Sequence, residues 1–207
     1  MLLGALMLLA SCNNNTNDNN IGEPFEAASP ARGIRNGNAF ESGFFGIRLD
    51  LPDNWVIIED ENIAAEMWVE PQMIIPRGAA VTQEIFADAV TPIIIDLLAI
   101  CEEAQSTIDV FIMPVPEEMA HLDAAQFLYE RTIADAAFFG DLMTVEVVAG
   151  TTRIGHMDWH AVDTSIESFA VRRRTFANVD GDFARFIVVG YTLEERLAET
   201  LELFGAY

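Results

Sequence analysis

The nine residues Ile93 to Cys101 are apolar except at Asp96, and a run of that length and character fits a strand buried on both faces of a sheet. Around such a strand the chain must supply other strands to pair with it and helices to cover it. Asp96 sits where a carboxylate is costly unless paired. Two readings stand side by side: a hydrogen-bonded structural aspartate, or a site residue whose pKa is raised by burial.

On either side the pattern is mixed. Phe44 to Leu51 alternates as a strand, Pro52-Asp53-Asn54 marks a turn, and Trp55 to Ile58 is expected to return as the second arm of a hairpin. Glu59 to Glu70 has helical spacing at Ile63, Ala64, Met67 and Trp68, and a second helical patch follows Thr82. Thr107 to Val115 alternates as a strand. Asp123 with Gln126 forms a capping-box pattern for a helix whose buried stripe is expected at Ala124, Phe127, Leu128, Ala134 and Phe138, with Gly140 as its stop.

The remainder reads as a meander. Strands are expected at Leu142 to Val148, Thr152 to Thr164, Ser168 to Ala177 and Phe183 to Tyr191, with Asp180-Gly181 as a hairpin turn. Thr192 and Glu195 suggest a capping box for a last amphipathic helix carrying Leu193, Leu197, Leu201 and Phe204. The fold class is therefore α+β, a mainly antiparallel sheet flanked by helices.

The first 39 residues have a different character. An apolar run, Leu2 to Leu8, is too short for a bilayer span of roughly 20 residues, and it leads into Leu9-Ala10-Ser11-Cys12. That box resembles the signal of bacterial lipoproteins, which implies a signal peptide over 1–11 and a lipidated Cys12. Leu2 follows Met1 with no Lys or Arg between, so either the start lies upstream or the signal is weak. From Asn13 onward a tract rich in Asn, Gly, Pro and Ala is expected to remain an unfolded tether through residue 39, reaching on the order of 30 Å as a random coil. Residues 40–207 then make one domain. The expected location is a cell membrane or outer membrane, lipid-anchored through Cys12, with the domain facing away from the cytoplasm.

Charge narrows the partners. The chain carries 11 basic residues, all Arg, against 33 acidic ones, for a net charge of −22. Nucleic acid is repelled by such a surface and is excluded as a partner. With Cys12 committed to lipid, Cys101 has no disulfide partner, and its apolar setting suggests a buried, inert thiol.

The order of elements resembles the PsbP-like fold. The cues are Phe45-Gly46-Ile47, the turn Leu51-Pro52-Asp53-Asn54-Trp55, the apolar strand Ile93 to Cys101, the capped helix Asp123 to Phe139 and the stretch Arg172 to Phe204. Asn54 stands where glycine is commoner in that family. The resemblance covers about residues 40–207 and implies an α/β/α sandwich, no enzyme chemistry, and in many bacterial members a small extracytoplasmic lipoprotein. No ligand set of the family carries over residue by residue.

Motif by motif, catalysis finds little support. There is no Gly-x-Ser-x-Gly elbow, glycine-rich phosphate loop, Cys-x-x-Cys or His-Glu-x-x-His. His156, Asp158 and His160 would share one face of a strand, but two histidines four residues apart on a strand are about 13 Å apart, too far to grip one ion without a bulge. A surface-facing polar row is the plainer reading, so no metal and no cofactor are expected. Asn178 to Asp182 offers hard oxygens, yet lacks the ligand spacing of a calcium loop. In Arg172-Arg173-Arg174, alternation places Arg172 and Arg174 on one face and Arg173 on the other. Cross-strand pairing with acids is the default there, and a docking patch for an anionic partner the alternative.

The leading expectation is a non-enzymatic, membrane-tethered module that contacts another envelope protein. The alternative is a lipoprotein that binds a small molecule or divalent cation in a pocket between helix and sheet near Asp96 or His156, with Asp96, His156, Asp158, His160, Arg172 and Arg174 as candidate contacts.

Overall fold

A computed structural model describes residues 28–206, apart from 68, 91 and 167–170. Cys12 and its leader, Trp68 and the side chain of Phe138 lie outside the described residues. The apolar run is β5 (Ile94–Cys101), with seven of its eight residues buried, paired on its inner side with β6 (Ser106–Pro114). These two strands belong to a seven-stranded sheet that also contains β4 (Val56–Ile57), β7 (Met143–Ile154), β8 (Met157–Ile166), β9 (Val171–Asp180) and β10 (Phe183–Tyr191). Its order is β4-β5-β6-β10-β9-β8-β7, antiparallel throughout. β10 sits mid-sheet with all nine residues buried. Hydrophobic strands of this kind fill both faces of the sheet, and two apolar clusters result.

The larger cluster lies between the two sheets of the molecule. The second sheet is four-stranded, in the order β1-β2-β3-β11, from β1 (Ile34–Asn36), β2 (Ala39–Ser42), β3 (Ile47–Asp50) and β11 (Phe204–Ala206). Phe40, Ile47 and Leu49 of this sheet meet Ile95, Ile112, Ile187 and Trp159 of the large one, all fully buried. At roughly 1.5–3 kcal/mol for each such side chain taken out of water, this shared core is the main force joining the sheets. Ile63 of α1 (Asp60–Met67) and Leu197 of α3 (Glu194–Leu201) also enter it.

On the opposite face lies α2 (Ala124–Phe139), over a smaller cluster of Phe127, Leu128, Phe186, Val162 and Ala184. Asp123 caps it as the sequence suggested: its carboxylate accepts from Gln126 N–H at 2.8 Å, and the Gln126 side chain takes the Asp123 N–H at 3.4 Å. Gly140 stops it with φ +59°.

Several expectations need correction. The folded body starts before residue 40. Gly33 is hydrogen-bonded to Asp96, Ala31 bridges Ala80, and Ile34–Asn36 forms a hairpin with β2. A polar, glycine-containing stretch looks like tether in composition; here backbone pairing and a buried arginine hold it. Phe44 to Ile58 is not a hairpin. β3 pairs with β2 and β11, whereas β4 pairs with β5, so the Pro52 turn carries the chain from one sheet to the other.

The expected break at 149–151 is a bulge inside one long β7, and the true turn is Gly155-His156. Gly155 has φ +58°, and a Cβ there would lie 2.2 Å from the Gly46 carbonyl oxygen, so only glycine fits. The helical patch after Thr82 is a single 3₁₀ turn, Gln83–Phe86. α3 begins at Glu194 without a side-chain cap, so the Thr192 box does not form. In α2, Ala134 is exposed, and Thr132 takes a buried place on the stripe.

Candidate functional site

Asp96 is the extra residue of a bulge in β5, where the register with β6 slips between Ile95 and Leu97. The slip turns its side chain toward the N-terminal hairpin. There its carboxylate accepts the Gly33 N–H at 2.8 and 3.0 Å, with Arg77 Nη1 at 3.7 Å and Arg32 Nε at 3.8 Å. Its carbonyl oxygen accepts from Arg77 at 2.9 Å and Arg32 at 3.3 Å. Both arginines continue to Asp60 at the start of α1, at 2.8 and 2.6 Å. Burial raises the Asp96 pKa to about 7 against the pull of the Gly33 N–H, Arg32 and Arg77. Burial also lifts Asp60, but Arg32 and Arg77 outweigh it and hold that carboxyl below its usual value. With every member engaged inside the protein, the cluster is a clamp joining hairpin, α1 and sheet.

The other sequence candidates scatter. His156 lies in the β7–β8 turn, its N–H donating to the Gly46 carbonyl at 3.1 Å, so it does not share a strand face with Asp158 and His160. Asp158 pairs with Arg153 at 3.3 Å across that turn, and His160 stands opposite Ala177. Among the described residues, no group of three or more His, Cys, Asp or Glu side chains is placed to hold a metal ion. Arg172 pairs with Glu194 at 3.1 Å, and Arg174 grips Asp163 with two bonds of 2.6 Å. Cross-strand pairing thus accounts for Arg174, whereas Arg172 is held by the first residue of α3. Asp180-Gly181 is the β9–β10 turn, with Asp180 and Asn178 both bonded to Arg185. Cys101 is fully buried, forms no disulfide among the described residues, and its Sγ accepts from the Asn54 side-chain N–H at 3.5 Å.

A cavity of about 540 Å³ does lie between helix and sheet, beneath α2, but neither Asp96 nor His156 lines it. Alternation along β6 sends Asp109, Phe111 and Met113 toward α2, while Ile108, Val110 and Ile112 go to the core between the sheets. Val188 faces Asp109 in register and Thr175 faces Val188; two residues along β9, Arg173 lies opposite Gly190, which has no side chain to cover it. Phe111 and Phe186 stack at 4.8 Å between centroids to form an apolar wall, joined by Met113 and Leu128. α2 supplies the roof with Arg131 and Asp135, paired at 3.2 Å one turn apart, and with Thr132, whose hydroxyl bonds back to the Leu128 carbonyl at 2.8 Å.

Two charges in this cavity have no direct partner. Within 4.0 Å, neither the Asp109 carboxylate nor the Arg173 guanidinium meets an opposite charge among the described residues. Burial among apolar neighbours lifts the Asp109 pKa to about 6, partly offset by the more distant Arg173. Burial raises Asp135 as well, against Arg131. The sequence signal for Asp109 is real and easily overlooked: it shares its face with Phe111 and Met113, so it is a carboxylate in an apolar row.

No family model matches this chain. No curated protein matches it either. Among solved structures, it is similar to the solution structure of cyanobacterial PsbP (CyanoP) from Synechocystis sp. PCC 6803, with 13% sequence identity over 96% of this chain and 99% of that one, at a TM-score of 0.42.

Proposed function

We propose that this protein is a membrane-tethered, non-enzymatic module that binds a small molecule in the cavity beneath α2. The observation that carries the reading is the half-buried Asp109 and the exposed Arg173 on one lining, neither with an opposite charge within 4.0 Å among the described residues, beside the Phe111–Phe186 wall. Small-molecule sites run roughly from 300 to 1,000 Å³ and combine an apolar lining with a few convergent polar groups, which matches this cavity in both respects. A PsbP-like α/β/α layering suits such a site. In support, α2 packs on one face of the large sheet, and on the other α1 and α3 each add a side chain to the core that sheet shares with the small one.

In this reading Cys12 carries the lipid that holds the protein to a cell membrane or outer membrane, facing away from the cytoplasm, and the chain up to about residue 28 is the spacer. Native mass spectrometry of the full chain extracted from its own membrane tests the binding role. A retained small-molecule adduct, lost when Phe186 is replaced by Trp to fill the cavity, is the expected result; an unliganded protein that also ignores a broad metabolite panel overturns it.

A second reading, a docking module for an envelope protein, has its own support. β7 is a twelve-residue edge strand with Val147 57% exposed, and open edges template pairing with other chains. Site-directed photocrosslinking from position 147 in whole cells is the measurement; a single recurrent partner favours docking, and none counts against it.

A further inference from the structure

Resting on the cavity reading above, we propose that the ligand is a zwitterion with an apolar body, chemically an α-amino acid with an aromatic or large aliphatic side chain, its ammonium at Asp109 and its carboxylate at Arg173. Geometry and charge balance both lead there. Asp109 enters from β6 and Arg173 from β9, with β10 between them, so the two charges face the same space from separate strands. They lie beyond the 4.0 Å of a direct pair, which leaves room for a group that bridges them.

The remaining charges on the lining, Arg131 and Asp135, already neutralise each other at 3.2 Å. The lining as a whole therefore holds two cations and two anions. A ligand carrying only a carboxylate would meet the solvent-exposed Arg173 and leave the half-buried Asp109 unpaired, where an open charge is expensive, and one carrying only an ammonium would forgo the Arg173 grip. A zwitterion satisfies both and leaves the balance unchanged. Its ammonium donates to the Asp109 carboxylate, while the planar Arg173 guanidinium is suited to a two-pronged grip on a carboxylate. The hydroxyls of Thr164 and Thr175 lie on the same lining, next to Arg173 along and across the strands. Opposite them, Phe111, Phe186, Met113 and Leu128 form the apolar half, which receives the side chain.

The test is isothermal titration of the full chain, purified in detergent, with L-phenylalanine, phenethylamine and 3-phenylpropanoate at pH 7.5. L-Phenylalanine is expected to bind at least tenfold tighter than either singly charged analogue. Asp109→Asn and Arg173→Gln are each expected to weaken it at least tenfold, with circular dichroism confirming that both variants fold. Equal binding of L-phenylalanine and 3-phenylpropanoate, or of L-phenylalanine and phenethylamine, overturns the zwitterion while leaving the cavity a binding site. No heat from any of the three, together with no displacement of a fluorescent apolar dye from the wild-type cavity, overturns both.

Discussion

Arg32 donates from both terminal nitrogens to the two carboxylate oxygens of Asp60, at 2.8 and 3.1 Å, and this fork fixes the stretch leading into β1 against the start of α1. The Arg32 side chain is fully buried. Replacing it by Met therefore leaves Asp96 without one of its two cations and Asp60 with only Arg77. Breaking one partner of a buried charge group costs about 3–5 kcal/mol, and urea unfolding of Arg32→Met should show a loss of that size. An unchanged midpoint means that the hairpin is held by packing alone.

Stability should fall as pH rises from about 4 to about 7. Asp96 and Asp109 have folded-state pKa values raised to about 7 and about 6, so across that interval the folded protein keeps protons that the unfolded chain has released. The opposite holds for Asp60, whose lowered pKa gives stability above its ordinary value that is lost in stronger acid. Thermal melts across pH 3 to 8 should thus peak in mildly acidic solution, and a flat profile above pH 4 rules the assignment out.

Asp109→Asn removes the carboxylate that resists ionisation and keeps the shape. At pH 8 the unliganded variant should be more stable than the parent, by on the order of 1–2 kcal/mol once the opening of the cavity to water is allowed for. At pH 4 the two should coincide. Chemical denaturation at both pH values decides the matter, and a destabilised variant at pH 8 shows that Asp109 has a structural partner.

Gly155→Ala forces a left-handed backbone on a residue with a Cβ, and drives that carbon into the Gly46 carbonyl. Backbone strain of this kind costs about 1–3 kcal/mol before any steric repair. Differential scanning calorimetry should register a lower Tm, whereas Gly150→Ala, also at positive φ but with open space around it, should be milder.

Anchoring is tested most directly by Cys12→Ser. In cells the variant should move from the membrane fraction to the soluble one. Persistence in the membrane, with an unacylated parent by mass spectrometry, removes the lipid from the account.

What the chain's pattern revealed follows the range of the forces involved. The β5 strand, the Asp123 box and the Asp180-Gly181 turn are encoded within a few neighbouring residues, and each is visible in order along the chain. Asp96 was legible as an anomaly but not as a clamp, because Arg32, Asp60 and Arg77 lie between 19 and 64 residues away. The cavity was harder still. Asp109 and Arg173 belong to one place only because β10 slots between β6 and β9, a strand order no local periodicity reports. The row through His156, Asp158 and His160 failed for a simpler reason: a glycine turn cut the strand at 155, which puts His156 in the turn and leaves only Asp158 and His160 on one face of β8.

The small sheet has one further consequence, for the timing of folding. β11 joins β3 at Phe204 to Leu49, so β3, already paired with β2, waits for another 155 residues of chain (49 to 204) before its second neighbour exists. Until then Ile47 and Leu49 have an open flank, and the small sheet stays unclosed. Among the described strands, the last to be made is the latch.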